Sequence, residues 1–203
     1  METCFSSKGK DLGSIFKKRN ERDAKVPPTP ISITRFDIKK HLESLRMSAE
    51  QTKIQLAKLA GAENPLKFLY QLKFNRTGCD PLNPFRALNF IEQLNQTFTY
   101  LASFNGAEFL FLRHPKVQRL TLNLGTAAGS DIETQEDGGI AAEIFAAVNP
   151  QNNGKLTNDL KKVSRASAKH RYVLFMSPEC EAGLYRVTSN ASEVIVWSLG
   201  CVP

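Results

Sequence analysis

The spacing of apolar residues divides the chain into a helical first part and a later part rich in strands. Apolar positions recur at helical spacing between Thr34 and Gly61, and helix-capping residues stand at Thr34 and Ser48, which predicts two helices. A long amphipathic helix is predicted for about residues 85–104. Its apolar stripe consists of Leu88, Ile91, Leu94, Phe98 and Leu101. The first part of the chain is therefore expected to be helical.

The later part alternates between apolar and polar residues, which is typical of strands. Strands are predicted at 119–124, 130–134 and 140–148, and Asp137-Gly138 is a hairpin signal between the last two. A helix at about 155–168 and two more strands at 171–177 and 192–199 complete the order. The predicted fold is mixed α/β (α+β), with an αβββαβ core, a mixed central sheet flanked by helices, and an N-terminal helical segment.

Composition shifts along the chain predict three parts. Residues 1–30 are charged, poor in aliphatic side chains and proline-rich at their end, which predicts a basic, disordered tail. Residues 31–64 are expected to form an accessory helical segment and residues 65–203 the core domain. The two helices of the accessory segment could also be a helix-turn-helix, but no recognition face stands out, so a packed helical layer is favoured.

Charge and cysteine content narrow the functional classes. Lys and Arg number 27 against 20 Asp and Glu, a net charge of +7, which suits a polyanionic partner but has other causes too. The four cysteines are far apart, which argues against a zinc ribbon or a disulfide scaffold and favours free thiols. A signal peptide and an apolar run of roughly 20 residues are both lacking, so we expect a protein that is cytoplasmic or otherwise intracellular and not secreted, without a membrane partner.

A glutamate within an apolar strand is the strongest chemical signal. In the strand at 140–148, Glu143 shares one face with Ala141 and Phe145. A buried carboxylate is costly unless a cation or hydrogen-bond donors meet it. The hairpin brings Asp131 alongside, and two neighbouring carboxylates repel unless one is protonated or a cation lies between them. A hard divalent ion such as Mg²⁺ is bound through one or two carboxylates, so the pair predicts a metal site.

The αβββαβ order, with "GSDI" on one strand and "AEIF" on the next, resembles the restriction-endonuclease-like nuclease superfamily and its PD-(D/E)xK pattern. The resemblance implies that Asp131 and Glu143 ligate Mg²⁺ or Mn²⁺ and that Glu92 supplies a further ligand from the preceding helix. The lysine of the pattern is replaced by Phe145. Some members supply this lysine from the next helix, where Lys155 and Lys162 share one side, and Lys155 is the first choice.

The resemblance further implies a metal-dependent endonuclease that hydrolyses DNA phosphodiester bonds, for which a restriction or a repair setting is conceivable from the resemblance alone. Basic and amide side chains beside the expected site could contact the phosphates or bases. They are Lys161, Arg165, Lys169, His170 and Arg171, together with Asn149, Asn152 and Asn153. Cutting of both DNA strands would favour a homodimer with two-fold symmetry.

Each of these residues also has a structural interpretation. Asp131 could cap the turn before it, Glu143 could pair with a basic residue, and Glu92 could be the polar edge of its helix. The lysines could be solvated and the asparagines could form a turn. The histidines at 41, 114 and 170 lack zinc-binding spacing, and His114 is expected to be structural. The alternatives for the whole chain are an inactive nucleic-acid-binding module of the same fold or an unrelated α+β protein-interaction domain.

Overall fold

A computed structural model describes residues 30–61, 64–125, 129–187 and 193–201 of the chain. The α-helices within these ranges are α1 (Ile38–Leu59), α2 (Pro65–Phe74), α3 (Phe90–Arg113) and α4 (Lys155–Ser164). The strands are β1 (Ile31–Ile33), β2 (Gly78–Asp80), β3 (Asn83–Leu88), β4 (Leu120–Leu122), β5 (Ile132–Thr134), β6 (Ile140–Ala146), β7 (His170–Met176), β8 (Gly183–Leu184) and β9 (Val194–Ser198). The predicted mixed α/β class is confirmed.

Seven strands form one mixed sheet in the order β1-β4-β5-β6-β7-β9-β8, and β2 and β3 form a separate hairpin. Strands β1, β4, β5 and β6 are antiparallel neighbours, whereas β7 lies parallel to both β6 and β9. The β4-β5-β6 meander, the helix α4 and the return to β7 follow the order that the alternating pattern predicts. Helix α4 connects β6 to its parallel neighbour β7, because parallel strands need a crossover connection, which is usually a helix.

The two faces of β6 pack against different helices. The face with Ile140, Ala142 and Ile144 belongs to a large apolar core that includes residues of α1 and α3. The opposite face, with Ala141 and Phe145, packs against α4 in a smaller core. The sheet therefore lies between two helical layers, and the alternation along β6 assigns each side chain to one of them.

The segment before residue 61 differs from its prediction. It forms a single helix, α1, without a break at Ser48. Ser48 is buried, and its hydroxyl donates to the Cys79 carbonyl at 3.1 Å and accepts a hydrogen bond from Gln93 Nε2 at 2.7 Å. Because this hydroxyl serves tertiary contacts, it does not cap a second helix. Ahead of α1, the strand β1 pairs with β4, so the segment adds a strand to the main sheet.

The long helix α3 begins later than the apolar spacing predicts. Its N-cap is Asn89, whose side chain accepts a hydrogen bond from the Glu92 backbone at 2.9 Å, while Glu92 accepts one from the Asn89 backbone at 3.0 Å. This reciprocal capping box sets the first turn. Residues 85–88, predicted as helix, lie in strand β3 instead, and the helix continues to Arg113 rather than ending near 104.

Three other expectations, on the N-terminal tail, the cysteines and the membrane, can be compared with the described residues only in part. Residues 1–29 of the predicted tail, with Cys4, lie outside the described residues. Within the described ranges, Cys79, Cys180 and Cys201 are free thiols. None of the helices described by the structure has the length and apolar character that a bilayer crossing needs.

Candidate functional site

Glu143 lies at the centre of the candidate site. It points from β6 toward α4, between Ala141 and Phe145, and only 1% of it is exposed to solvent. A carboxylate at this depth loses most of its hydration, so it needs a compensating partner. The strand is otherwise apolar on this face, which makes the choice of Glu143 costly for stability.

A lysine of α4 supplies that partner. Lys162 Nζ donates to Glu143 Oε2 at 2.6 Å, from a side chain that is 49% exposed. Lys155, one of the two candidate lysines and the first choice, instead donates to Asp159 Oδ1 at 2.8 Å. The preference for Lys155 is therefore wrong for contact with Glu143, and Lys162 is the lysine that reaches it.

Asp131 approaches Glu143 across the β5-β6 hairpin. Ile132, the first residue of β5, pairs with Ala142, so Asp131, just before the strand, lies opposite Glu143. Asp131 Oδ2 accepts the backbone N–H of Ile144 at 2.8 Å, so the carboxylate is bound to β6 rather than to the turn before it. The backbone here is held by Asn123, whose N–H donates to the Asp131 carbonyl at 2.9 Å. These contacts therefore do not support the interpretation of Asp131 as a cap of the turn before it.

The acids and Lys162 influence each other electrostatically. Burial raises the pKa of Glu143, and repulsion from Asp131 and Asp159 adds to this, against the hydrogen bond from Lys162. Burial likewise raises the pKa of Asp159, with a contribution from Asp131. Burial alone would lower the pKa of Lys162, but its hydrogen bond to Glu143 and the three acids outweigh burial and raise it. The four groups form one cluster with more acids than ammonium groups.

Two carboxylate oxygens of the cluster lack partners. Glu143 Oε1 and Asp159 Oδ2 are both buried, and neither has a hydrogen-bond partner among the described residues. Buried polar atoms are nearly always satisfied, so such oxygens require an explanation. Oxygen atoms of this kind are the ligands that Mg²⁺ and Mn²⁺ prefer. The residues present therefore fit a hard divalent ion.

The carboxylate oxygens of these acids are not as close together as the ligand atoms of a metal site that is built from protein groups alone. In the part of the chain that the structure describes, one group of three potential ligands has its atoms all within 4.8 Å of one another, and it is His114, Asp137 and His170. The acids around Lys162 do not meet this criterion. Mg²⁺ keeps several waters and takes only one or two carboxylates, so two of these acids would be enough to hold it.

Asp159 is a member of the cluster that the sequence interpretation missed. It lies on α4 one turn after Lys155 and about one turn before Lys162, so the three charges share one side of the helix. That spacing was visible in the sequence. Only 4% of Asp159 is exposed, although an acid between two lysines is typical of a solvated helix face.

The structure does not bring Glu92 to this cluster. Its carboxylate caps its own helix, and it is exposed in the first turn of α3. Helix α3 packs on the sheet face with Ile144, which is opposite to the face that carries Glu143. The expected role of Glu92 as a third metal ligand is therefore not supported, and Glu92 lies on the exposed edge of α3, as its structural interpretation has it, where it also completes the capping box.

The expected nucleic-acid-binding residues are divided among three environments. Lys161, Arg165 and Lys169 are exposed. Arg171 NH1 donates to Glu193 Oε2 at 2.6 Å and its Nε to the Ala166 carbonyl at 3.1 Å, so its guanidinium is engaged within the protein. His170 lies against His114, with ring centroids 4.4 Å apart. Arg171 and His170 are therefore poorly placed for phosphate contacts.

The asparagines after β6 form a turn. Asn149 Oδ1 accepts the Gln151 backbone N–H at 2.8 Å, whereas Asn152 and Asn153 lie in a short 3₁₀ turn before α4. Asn153 has a φ of 56°, a left-handed conformation that asparagine tolerates. Asn149 is used by the turn, while the side chains of Asn152 and Asn153 are exposed.

An apolar groove of about 520 Å³ lies apart from the acids, between the first half of α3 and the ends of β6 and β7. It is lined by residues such as Leu94, Phe98, Ala146 and Met176, and by none of the cluster around Glu143. It lacks the charged groups that phosphate chemistry needs, so the candidate chemistry lies at the buried acids.

Comparison of the chain with protein-family models, curated proteins and solved structures finds no match. The functional argument therefore depends on the residues and contacts of this chain alone.

Proposed function

We propose that this chain is a metal-dependent nuclease that hydrolyses DNA phosphodiester bonds, with a restriction-endonuclease-like core. One observation carries the proposal. Glu143 is fully buried, with one oxygen on the ammonium group of Lys162 and the other without a partner among the described residues, and Asp131 faces it across the hairpin. The order α3-β4-β5-β6-α4-β7 supports the same family resemblance.

The proposed ligands of the ion are Asp131 and Glu143, and Asp159 lies nearby as a further acid of the cluster. Each offers a carboxylate on the side of the sheet that faces α4. When bound, a divalent ion would stabilise negative charge on the phosphoryl oxygens and lower the pKa of the attacking water. The ion would also relieve the repulsion among the three acids.

Lys162 acts in this proposal as a source of positive charge rather than as a base. The three acids raise its pKa, so it stays protonated at neutral pH. An ammonium has three N–H donors, and one of them is used by Glu143. Because the side chain is half exposed, the remaining donors can reach a phosphate in the transition state. It thus takes the role of the lysine that Phe145 replaces.

Binding of DNA would rely on exposed basic residues near α4. Lys161 and Arg165 form no ion pair with other described residues, and the chain carries a net charge of +7. Contacts from such groups to phosphates are sequence-independent and weaken as salt rises. A homodimer, which cleavage of both strands would favour, stays a prediction.

Cleavage of supercoiled plasmid DNA with Mg²⁺ or Mn²⁺ tests the proposal. We expect Asp131→Asn, Glu143→Gln and Lys162→Met each to lower the cleavage rate at least about 100-fold, since the first two remove ligands of the proposed ion and the third removes the cation that would face the phosphate. Glu92→Gln is the matched control: it removes an acid but keeps the capping box, because glutamine also fits that position. Its rate should equal that of the wild type.

The outcomes separate the three alternatives. Cleavage that Asp131→Asn leaves undiminished would exclude this site. Salt-sensitive DNA binding without cleavage would identify the inactive nucleic-acid-binding module. Absence of binding, cleavage and calorimetric Mn²⁺ uptake would identify the acids as structural, in an α+β interaction domain.

A further inference from the structure

A second cluster of titratable side chains lies where three elements meet at the start of β6. His114 follows the last residue of α3, Asp137 lies in the β5-β6 turn, and His170 is the first residue of β7. A ring nitrogen of each histidine and a carboxylate oxygen of Asp137 all lie within 4.8 Å of one another. Two imidazoles and a carboxylate are a ligand set for a transition-metal ion.

His114 is held in an orientation that suits metal binding. Its Nδ1 lies 3.4 Å from Asp137 Oδ2, and its Nε2 lies 2.8 Å from the hydroxyl of Tyr172, which is buried. Ligand atoms about 2.0–2.1 Å from a tetrahedral ion are about 3.4 Å apart, so the first pair already has the separation of two ligands. The contact with the Tyr172 hydroxyl, on the other ring nitrogen, would fix the orientation of the His114 ring.

His170 supplies an independent sign of a missing partner. Its Nε2 is buried and has no hydrogen-bond partner among the described residues. Its backbone N–H donates to the Gly139 carbonyl at 3.0 Å, which fixes the residue beside the hairpin turn. A buried imidazole nitrogen without a partner costs stability, and a metal ion bound to it would remove that cost.

Asp137 takes a backbone conformation that aspartate rarely adopts. Its φ is 55°, in the left-handed region, and Gly138 and Gly139 after it also have positive φ values. Glycine is free to do this, whereas Asp137 pays a small steric cost that aspartate and asparagine tolerate best. The turn presents the carboxylate to His114, so the strained conformation coincides with the cluster.

We infer that His114 Nδ1, Asp137 and His170 form a binding site for a borderline divalent ion such as Zn²⁺, with water as a further ligand. In the bound form, the Nε2–H of His114 donates to the Tyr172 hydroxyl, which fixes the tautomer that leaves Nδ1 free to ligate. The ion would join the end of α3, the β5-β6 turn and the start of β7.

The position of the cluster separates this inference from the nuclease proposal. The cluster lies beside Ile140 at the beginning of β6, on the α3 side of the sheet, whereas Asp131 contacts Ile144 near the end of that strand. The inference does not depend on the proposed nuclease activity.

The test uses the full chain in excess Mg²⁺, which occupies oxygen-rich sites, and titrates it with Zn²⁺ by calorimetry and with Co²⁺ by visible absorption. We expect one ion per chain, with a four-coordinate Co²⁺ spectrum that lacks thiolate bands. Asp137→Asn should weaken binding at least about 100-fold, since it removes a ligand yet suits the left-handed turn. Tyr172→Phe should weaken it about 10-fold to 100-fold, as loss of an outer-shell partner does.

Two control variants locate the ion. His41→Gln changes the histidine that lies outside the cluster, and Asp131→Asn changes the candidate nuclease site; both should bind Zn²⁺ like the wild type. Zn²⁺ should raise the melting temperature of the wild type and of both controls, but not that of Asp137→Asn. Absence of binding by the wild type, or equal binding by a folded Asp137→Asn variant, would overturn the inference.

Discussion

The two faces of the central sheet divide stability and candidate chemistry between them. On the α3 face, the contacts are apolar and closely packed, with Phe104, Ala107 and Leu110 all fully buried. On the α4 face, a small apolar core stands beside the buried ionic cluster of Glu143 and Asp159. Both faces exclude water, but the α4 face encloses the carboxylates of Glu143 and Asp159 directly beneath its helix. The difference suggests that the α3 face supplies the stability that allows the α4 face to hold unfavourable groups.

The largest effect on stability is therefore expected on the α3 face. Phe104 is fully buried and stacks on His41, with ring centroids 4.8 Å apart. Phe104→Ala should lower the free energy of unfolding by about 3–5 kcal/mol, as cavities left by phenylalanine do. Urea denaturation measures this. The control is Phe98→Ala on the same helix, where the side chain is 44% exposed and the loss should be well under half as large. Equal losses would show that the α3 face is not the main source of stability.

The next effect concerns the ion pair of the α4 face. Lys162→Met leaves the buried carboxylate of Glu143 without its cation, which should cost about 3 kcal/mol near neutral pH. The cost should shrink as pH falls, because Glu143 can then be protonated. Lys161→Met, an exposed neighbour, should change stability by about 0.5 kcal/mol or less.

A double-mutant cycle isolates this pair. Lys162→Met combined with Glu143→Gln should recover most of the loss, since the second change removes the buried charge. Additive losses at pH 7 would show that the two side chains do not interact energetically, against the 2.6 Å contact between them.

The smallest expected effect is a gain in the free energy of unfolding. Burial and the neighbouring acids raise the pKa of Glu143, so the folded chain binds more protons than the unfolded chain between the ordinary glutamate pKa of about 4.3 and the raised value. Stability from this group therefore falls as pH rises through that window. Glu143→Gln removes the dependence and should be more stable than the wild type at pH 7.

Urea denaturation from pH 4 to 8 checks this prediction, and the gap between the two proteins should widen with pH. A Glu143→Gln variant that is less stable than the wild type at pH 7 would mean that the Glu143–Lys162 pair is net stabilising. That result would favour the structural interpretation of the acids over the functional one.

Patterns within short stretches of the sequence predicted the part of the candidate site that lies on the β5-β6 hairpin. Alternation along β6 placed Glu143 on the face opposite Ile144, and the Asp137-Gly138 turn set the register that brings Asp131 beside it. Both depend on neighbours within one hairpin. The strand β1 pairs with β4 far along the chain, and no local pattern in the sequence reports such a pairing.

The choice between the two lysines depends on where β6 ends, which is Ala146 in the structure rather than residue 148 as the sequence pattern predicts. Helix α4 follows β6 and runs back along it, so depth along the strand and depth along the helix can be compared. Three residues separate Glu143 from the end of β6, about 10 Å, and seven separate Lys155 from Lys162, also about 10 Å. The later lysine is therefore level with Glu143. His114 and His170 could not be paired in this way, because packing of α3 on the sheet brings them together.

The hydrogen bond from Ile144 to Asp131 restricts how a cation can be held. With Oδ2 accepting that backbone N–H at 2.8 Å, Oδ1 is the oxygen of Asp131 that is free of this contact. In the proposed site, the contact would favour monodentate ligation by Asp131, which suits a small octahedral ion such as Mg²⁺ or Mn²⁺. The strand pairing would thus help to set how the proposed ion is held.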